Sequence, residues 1–523
     1  MIKLKKTRYF VCFIIMLGVC LIGSGSAADW TSNDIYKSKH GVYYQIFVRA
    51  FADGRGDGLG DLRGIIENLD YLNDGNPHTK DDLGVTGLWL TPIHPSPTYH
   101  KYDVTDYYEV DPEIGTLEDF RELVQEAHSR GIRVIMDLVV NHTSSSHPWF
   151  VEACLDPNSP YRDYYIWADG DTNINERGPW GQKVWHPAGN DHYYGLFWDG
   201  MPDLNYDNPR VRAEIKEIAQ FWIEQGVDGF RLDAAMHIFA HDEPERAHVW
   251  WNEFRDYVTS LKPDIYLVAE VWDRSNVVAP YYASFDSNFN FHLANLILRS
   301  VNSGFDVGIA KVVQGHHEQF AQYSPWFIDA PFLTNHDQDR VMSILNHKET
   351  AKMAASLYLT LPGNPFIYYG EEIGMKGVGA DENKREPFKW YETTGPGQSE
   401  WRSSTFNVGQ WQPSVEGQIG DETSLLSHYR NLIQLRESND VLKYGKIVPL
   451  ETENRCVVGF IREWEGQQVW VFHNLADSKQ MVEIRAQTQK PLRTLYSDGI
   501  HAWTHMKGLL KGELAPQSSL ILY

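Results

Sequence analysis

Short apolar runs rich in β-branched and aromatic residues recur through the first four-fifths of this 523-residue chain, and helix-period sequence separates them. The runs fall at 42–51, 85–91, 133–140, 229–234, 265–272, 327–334 and 365–369, with a weaker one at 285–291. Between them, residues 117–130, 211–225, 247–261 and 349–361 carry apolar positions at helical spacing, and 424–437 follows the last run. Strands that each need a covering helix predict an α/β chain built as a parallel (β/α)8 TIM barrel. A doubly wound open sheet is the alternative, but no glycine-rich phosphate loop follows any of the runs.

Two stretches interrupt the alternation. Residues 141–205 are rich in Trp, Tyr, Gly, Pro and Asp and poor in helical periodicity, and they are too long for an ordinary loop. They read as a small inserted domain B. After residue 437 the runs "CVVGFIREW", "QQVWVFHNL" and "SSLILY" predict a C-terminal antiparallel β-sandwich. The expected division is a signal peptide at 1–28, barrel domain A at 29–140 and 206–438, domain B at 141–205 and domain C at 439–523.

The signal peptide rests on Lys3, Lys5, Lys6 and Arg8 ahead of an apolar run at 9–22 and small residues at 24–28. Export to the extracellular space is therefore expected. Cys20 leaves a lipid anchor at the cell surface open as an alternative. Loss of residues 1–28 removes four positive charges and no negative ones, taking the net charge from −23 to −27. So acidic a surface argues against nucleic acid and anionic membranes and favours an uncharged ligand. Cys154 and Cys456 would be the remaining cysteines, too few for a disulfide framework. A monomer is expected.

A barrel places its chemistry at the carboxyl ends of its strands. Asp137 and His142, Arg231 and Asp233, Glu270, and His336 and Asp337 all fall there. Period-2 alternation puts Arg231 and Asp233 of "GFRLDAAMH" on one face. An arginine beside a carboxylate favours its charged form, as a nucleophile requires. A buried ion pair that only fixes the barrel is the competing reading. Glu270, in "LVAEVW", has apolar neighbours that would desolvate a carboxyl and keep it protonated near neutrality. One ionised and one protonated acid, about 5–5.5 Å apart, form the pair used in retaining glycoside cleavage.

The motifs "DLVVNH", "GFRLDAAMH", "EVW" and "FLTNHD", in that order, resemble the four signature regions of the α-amylase superfamily of glycoside hydrolases. "GVTGLWLTPI", "MPDLN" and "GNPFIYYGEE" resemble three further regions. The resemblance implies the same three-domain plan. It implies Asp233 as nucleophile, Glu270 as acid/base and Asp337 as transition-state stabiliser, with Asp137, His142, Arg231, His237 and His336 lining the site. In "HKYDVTDYY" it implies a stacking Tyr102 and a sugar-gripping Asp103, and it matches Arg385 to an arginine that pairs with that aspartate. "MPDLN" is similar to the form found in an intermediary group that includes secreted bacterial α-amylases.

An endo-acting α-amylase on starch and malto-oligosaccharides, with transglycosylation as a side activity, is thus the leading expectation. An oligo-1,6-glucosidase, a neopullulanase-like enzyme or a 4-α-glucanotransferase is the near alternative. A non-catalytic sugar-binding member is remote, because all three acids are present. Met236 stands where many relatives carry a lysine, and it cannot donate a hydrogen bond to sugar.

Calcium is the expected cofactor. "DGRGDGLGDL" offers Asp53, Asp57, Asp61 and the Leu59 carbonyl for one ion, although Arg55 stands where the resemblance calls for Asn or Asp. A second site implied by the resemblance would use Asn141, the His237 carbonyl and an oxygen from domain B, with Asn205 as the candidate.

Overall fold

The computed structural model describes residues 31–523 apart from 410, 412, 486–490 and 507. The expected signal peptide and Cys20 lie outside the described residues.

The strands β1 (Tyr43–Ile46), β2 (Gly87–Leu90) and β3 (Arg133–Leu138) are followed by a hairpin of β4 (Trp185–Ala188) and β5 (Asp191–Tyr194). Then come β6 (Gly229–Leu232), β7 (Tyr266–Ala269), β8 (Ser287–Asn288) and β9 (Phe366–Tyr368). Apart from the hairpin these form one parallel sheet in the order β8-β7-β6-β3-β2-β1-β9. Two parallel bridges, Phe289 to Ala330 and Phe332 to Phe366, close it into a (β/α)8 barrel.

The run at 327–334 was expected to be a full strand. It contributes only those bridges because Pro331, between them, has no N–H to give a ladder. The run at 42–51 is likewise two elements: the chain leaves β1 and turns into a short helix, Val48–Phe51. An apolar run does not by itself distinguish the two geometries.

Strands covered on both faces need apolar residues at nearly every position, and β1, β2, β6 and β7 are buried throughout. Inside the barrel Tyr43 lies between the rings of Tyr266 and Phe366, at 5.1 and 4.9 Å. The covering helices start at side-chain caps, a Thr116–Asp119 capping box for Leu117–Ser129 and Asn208 ahead of Pro209–Glu224.

Between β3 and β6 the chain carries the β4–β5 hairpin and a helix, Pro148–Leu155, which the low helical periodicity of this stretch did not predict. His147 caps that helix and proline opens it, so local start signals outweigh a short amphipathic pattern. Phe150 on its inner face packs against Tyr165 and Tyr193.

Beyond the helix Leu425–Glu437 come β10 (Lys446–Pro449), β11 (Val457–Trp464), β12 (Gln467–Asn474), β13 (Gln480–Arg485), β14 (Thr494–Ser497), β15 (Ala502–Met506), β16 (Leu509–Leu514) and β17 (Ser518–Leu522). They make two antiparallel sheets, β10-β11-β12-β17-β14 and β13-β16-β15. Trp470, Phe472 and Leu522 of the first share one core with Val482, Ile484 and Leu510 of the second. That shared core is a β-sandwich.

Candidate active site

The carboxyl ends of β3, β6 and β7 meet around one guanidinium. Arg231, 1% exposed, places Nη1 2.5 Å from Asp137 Oδ1 and 2.5 Å from Asp233 Oδ1, and Nη2 2.8 Å from Glu270 Oε2. The strand register sets this up: Asp137 is the direct neighbour of Arg231 across the β3–β6 ladder. Two arms of one planar fork thus hold Asp233 and Glu270 side by side.

Past Asp233 the backbone of Ala234 is left-handed, at φ 47°. A non-glycine residue there costs about 1–2 kcal/mol. The turn it makes points the Ala234 N–H at Glu270 Oε2, 3.1 Å away.

Burial pushes the Glu270 carboxyl up to about 7; Arg231 opposes the rise, and the charges of Asp233 and Asp337 add to it. Asp137 is also pushed to about 7, chiefly by burial, while it accepts from Trp89 Nε1 at 2.9 Å and Tyr102 Oη at 3.2 Å. Asp337 moves the other way. Burial would raise it, but the guanidinium charges of Arg385 and Arg231 hold it below the usual carboxylate range. Arg385 Nη2 lies 2.9 Å from its Oδ1, and His336 Nε2 lies 3.2 Å from its Oδ2.

His336 is kept neutral, its pKa driven down to about 3 by burial. Gln45 Nε2 meets its Nδ1 at 2.7 Å, so the ring carries its proton on Nε2, facing Tyr102 Oη at 2.6 Å. Tyr102 lies parallel to that ring, with centroids 5.4 Å apart.

A cavity of about 800 Å³ opens over these groups. Asp233, Glu270, Asp337, Tyr102, His142, His237, His336, Arg385 and Met236 all line it. Asp137 and Arg231 sit behind its wall as support. Asp103 also lies outside the lining, and the pairing expected between Asp103 and Arg385 is not made. The Ser96 hydroxyl (2.7 Å) and the Thr98 hydroxyl tie Asp103 into its own loop, while Arg385 binds Asp337, the Tyr99 hydroxyl and the His336 carbonyl.

The aromatic wall of the cavity was not legible in the sequence. Trp180, Phe197, Trp198 and Trp272 line the cavity, and Trp272 is 50% exposed while its other face stacks on Phe291 at 4.2 Å. Trp272, which flanks Glu270 in sequence, packs and lines the cavity at once. For the others, the Trp-rich composition of 141–205 was the available signal.

The two expected calcium sets are bonded within the protein. In the first loop Asp53 already accepts four backbone N–H groups, from Arg55, Gly56, Asp57 and Gly58. Asp61 caps the helix Leu62–Glu67, and the Leu59 N–H is bonded to Asp57. Among the described residues no group of three or more His, Cys, Asp or Glu side chains is placed to hold a metal. At the second, Asn141 Nδ2 donates directly to the His237 carbonyl at 2.7 Å, and Asn205 instead reaches the Asp163 carbonyl.

A family model described as the α-amylase catalytic domain matches residues 45–445. Alpha-amylase 3 of Dictyoglomus thermophilum is 46% identical over 90% of both chains. A 4-alpha-glucanotransferase of Thermotoga neapolitana is 35% identical over 84% of this chain and 97% of its own. A crystal structure of an alpha-amylase from H. orenii superposes with a TM-score of 0.87 at 48% identity, over 92% of this chain and 99% of that one. With the barrel, the cavity and these likenesses in hand, the chain belongs to the α-amylase family of glycoside hydrolases.

Proposed function

We propose that the protein is an exported, retaining α-amylase acting within α-1,4-linked glucan chains, with Asp233 as nucleophile, Glu270 as acid/base and Asp337 steadying the transition state. The observation that carries this reading is the shared guanidinium. Arg231 keeps Asp233 and Glu270 adjacent, while burial holds a proton on Glu270 close to neutral pH.

In the first half-reaction Glu270 gives its proton to the glycosidic oxygen as Asp233 attacks C1 from the opposite face. The C1–oxygen bond breaks, the leaving glucan departs protonated, and a glycosyl ester forms on Asp233. In the second half Glu270, now a carboxylate, takes a proton from water, whose oxygen displaces Asp233 from C1. Two inversions return the original anomer. Asp337, anchored by Arg385 and His336, faces the positive charge that builds on the sugar. Tyr102, His142 and His336 supply the wall and hydrogen bonds around that ring. No step requires a metal.

Transfer to sugar is the second reading, favoured by the Trp272 indole beside Glu270 and the further indoles lining the same cavity. The general acid serves the leaving group, so residues next to it line the leaving-group side, where an acceptor sugar would replace water. Trp272 offers a stacking face there, and Met236 offers no competing polar grip. The export proposal rests on residues 1–28.

Incubation with starch, pullulan, isomaltose and maltotriose, with products resolved by chain length and early anomers read by proton NMR, tests both readings. Starch and maltotriose are expected as the preferred substrates with α-anomers formed first, and maltotriose is expected to yield some chains longer than itself. β-Anomers would overturn retention, and preference for isomaltose would overturn the α-1,4 assignment.

A further inference from the structure

The loop between Asp53 and Asp61 is organised around a side chain. Arg55 Nη1 donates to the Pro112 carbonyl at 2.8 Å, and Nη2 donates to the Glu113 carbonyl. Nη2 also lies 3.3 Å from Asp57 Oδ2, and Nε lies 3.4 Å from Asp61 Oδ2. Two carbonyls and two carboxylates are the hard-oxygen environment that a divalent cation would select. Here they converge on a guanidinium, whose N–H fork satisfies several oxygens at once with one fixed positive charge. The backbone is arranged to suit: Gly56 and Gly58, at φ 74° and 90°, turn their N–H groups onto Asp53, whose Oδ2 accepts only the Gly58 bond among the described residues.

We propose that Arg55 is a tethered cation that takes the place of calcium in this loop, making the loop's order independent of the metal. The consequence reaches the active site. The Asp53 N–H bonds the Gly397 carbonyl at 2.9 Å, and Glu400 N–H bonds the Gly58 carbonyl at 2.8 Å. Trp401, next in sequence, donates its indole N–H to the carbonyl of Arg385, the residue that holds Asp337. A loop that needs no ion keeps that support in place when calcium is scarce.

The test uses the full chain, dialysed against EGTA and then returned to calcium, with bound calcium measured by elemental mass spectrometry and melting followed by circular dichroism. Asp57→Asn, at a surface carboxylate, is expected to carry as much calcium as the parent. Arg55→Asp is expected to gain one further calcium per chain, and its melting temperature to rise by roughly 3–10 °C when calcium is restored. Calcium held by the parent but lost from Asp57→Asn would overturn the proposal. So would an Arg55→Asp protein that folds and gains no calcium. If Arg55→Asp does not fold, Asp57→Asn decides alone. Calcium that the parent and Asp57→Asn hold equally lies elsewhere and leaves the proposal standing.

Discussion

Asp233→Asn is expected to lower kcat on maltotriose by about 10⁴-fold or more while leaving the fold intact. The amide keeps the shape of the carboxylate, and its oxygen can still accept from Arg231. What it loses is the charge and electron pair that form the bond to C1. The loss should fall on kcat, because Tyr102, His142 and His336 still shape the pocket around the sugar. Steady-state kinetics with circular dichroism as the folding control measures it, and a loss below tenfold would remove Asp233 from the nucleophile's role.

Arg231→Met should be costly in a different way. One guanidinium faces Asp137, which is fully buried, Asp233, which is nearly so, and Glu270, which is mostly buried. Removing one partner of a buried ion pair leaves uncompensated charge and costs about 3–5 kcal/mol. The pH dependence identifies the cause. Burial already raises Asp137 and Glu270 to about 7, and without the arginine they rise further. The folded variant then holds protons that the unfolded chain releases, so its stability falls as pH rises through that range. The deficit against the parent, read from urea unfolding midpoints, should be larger at pH 8 than at pH 5. An equal deficit at both would assign Arg231 a packing role rather than an electrostatic one.

The alternation of apolar runs and helix-period segments made the barrel legible because strands covered on both faces must be apolar almost throughout. Where the chain departs from that rule the reading was too generous. Pro331 breaks the penultimate run, and Val48 opens a helix inside the first, since neither changes the count of apolar residues. The positions of Asp233, Glu270 and Asp337 were legible for a related reason: a charge at the end of an apolar run has few places to go except the mouth of the barrel. Their partners were harder to read. Asp103 and Arg385 lie far apart in sequence, and which carboxylate the arginine meets depends on two hydroxyls, of Ser96 and Thr98, that no periodicity marks. Trp180 and Trp198 belong to a segment with little regular pattern, so their place in the cavity wall is a tertiary fact. Arg55 was visible as a departure in an acidic loop, but its contacts with Pro112 and Glu113 come from a distant turn.

The pH dependence of kcat/KM for the free enzyme, compared with that of Glu270→Gln on an aryl maltoside whose leaving group needs little protonation, tests the central claim most directly. A general acid must be protonated to act, so the parent's kcat/KM should fall above a pKa near 7, the value to which burial lifts Glu270. In Glu270→Gln the residual rate should lose that alkaline limb and stay flat. A limb that persists unchanged in Glu270→Gln would mean that another group, with Asp137 the nearest candidate at about 7, carries the titration, and would contradict the assignment of Glu270 as the acid.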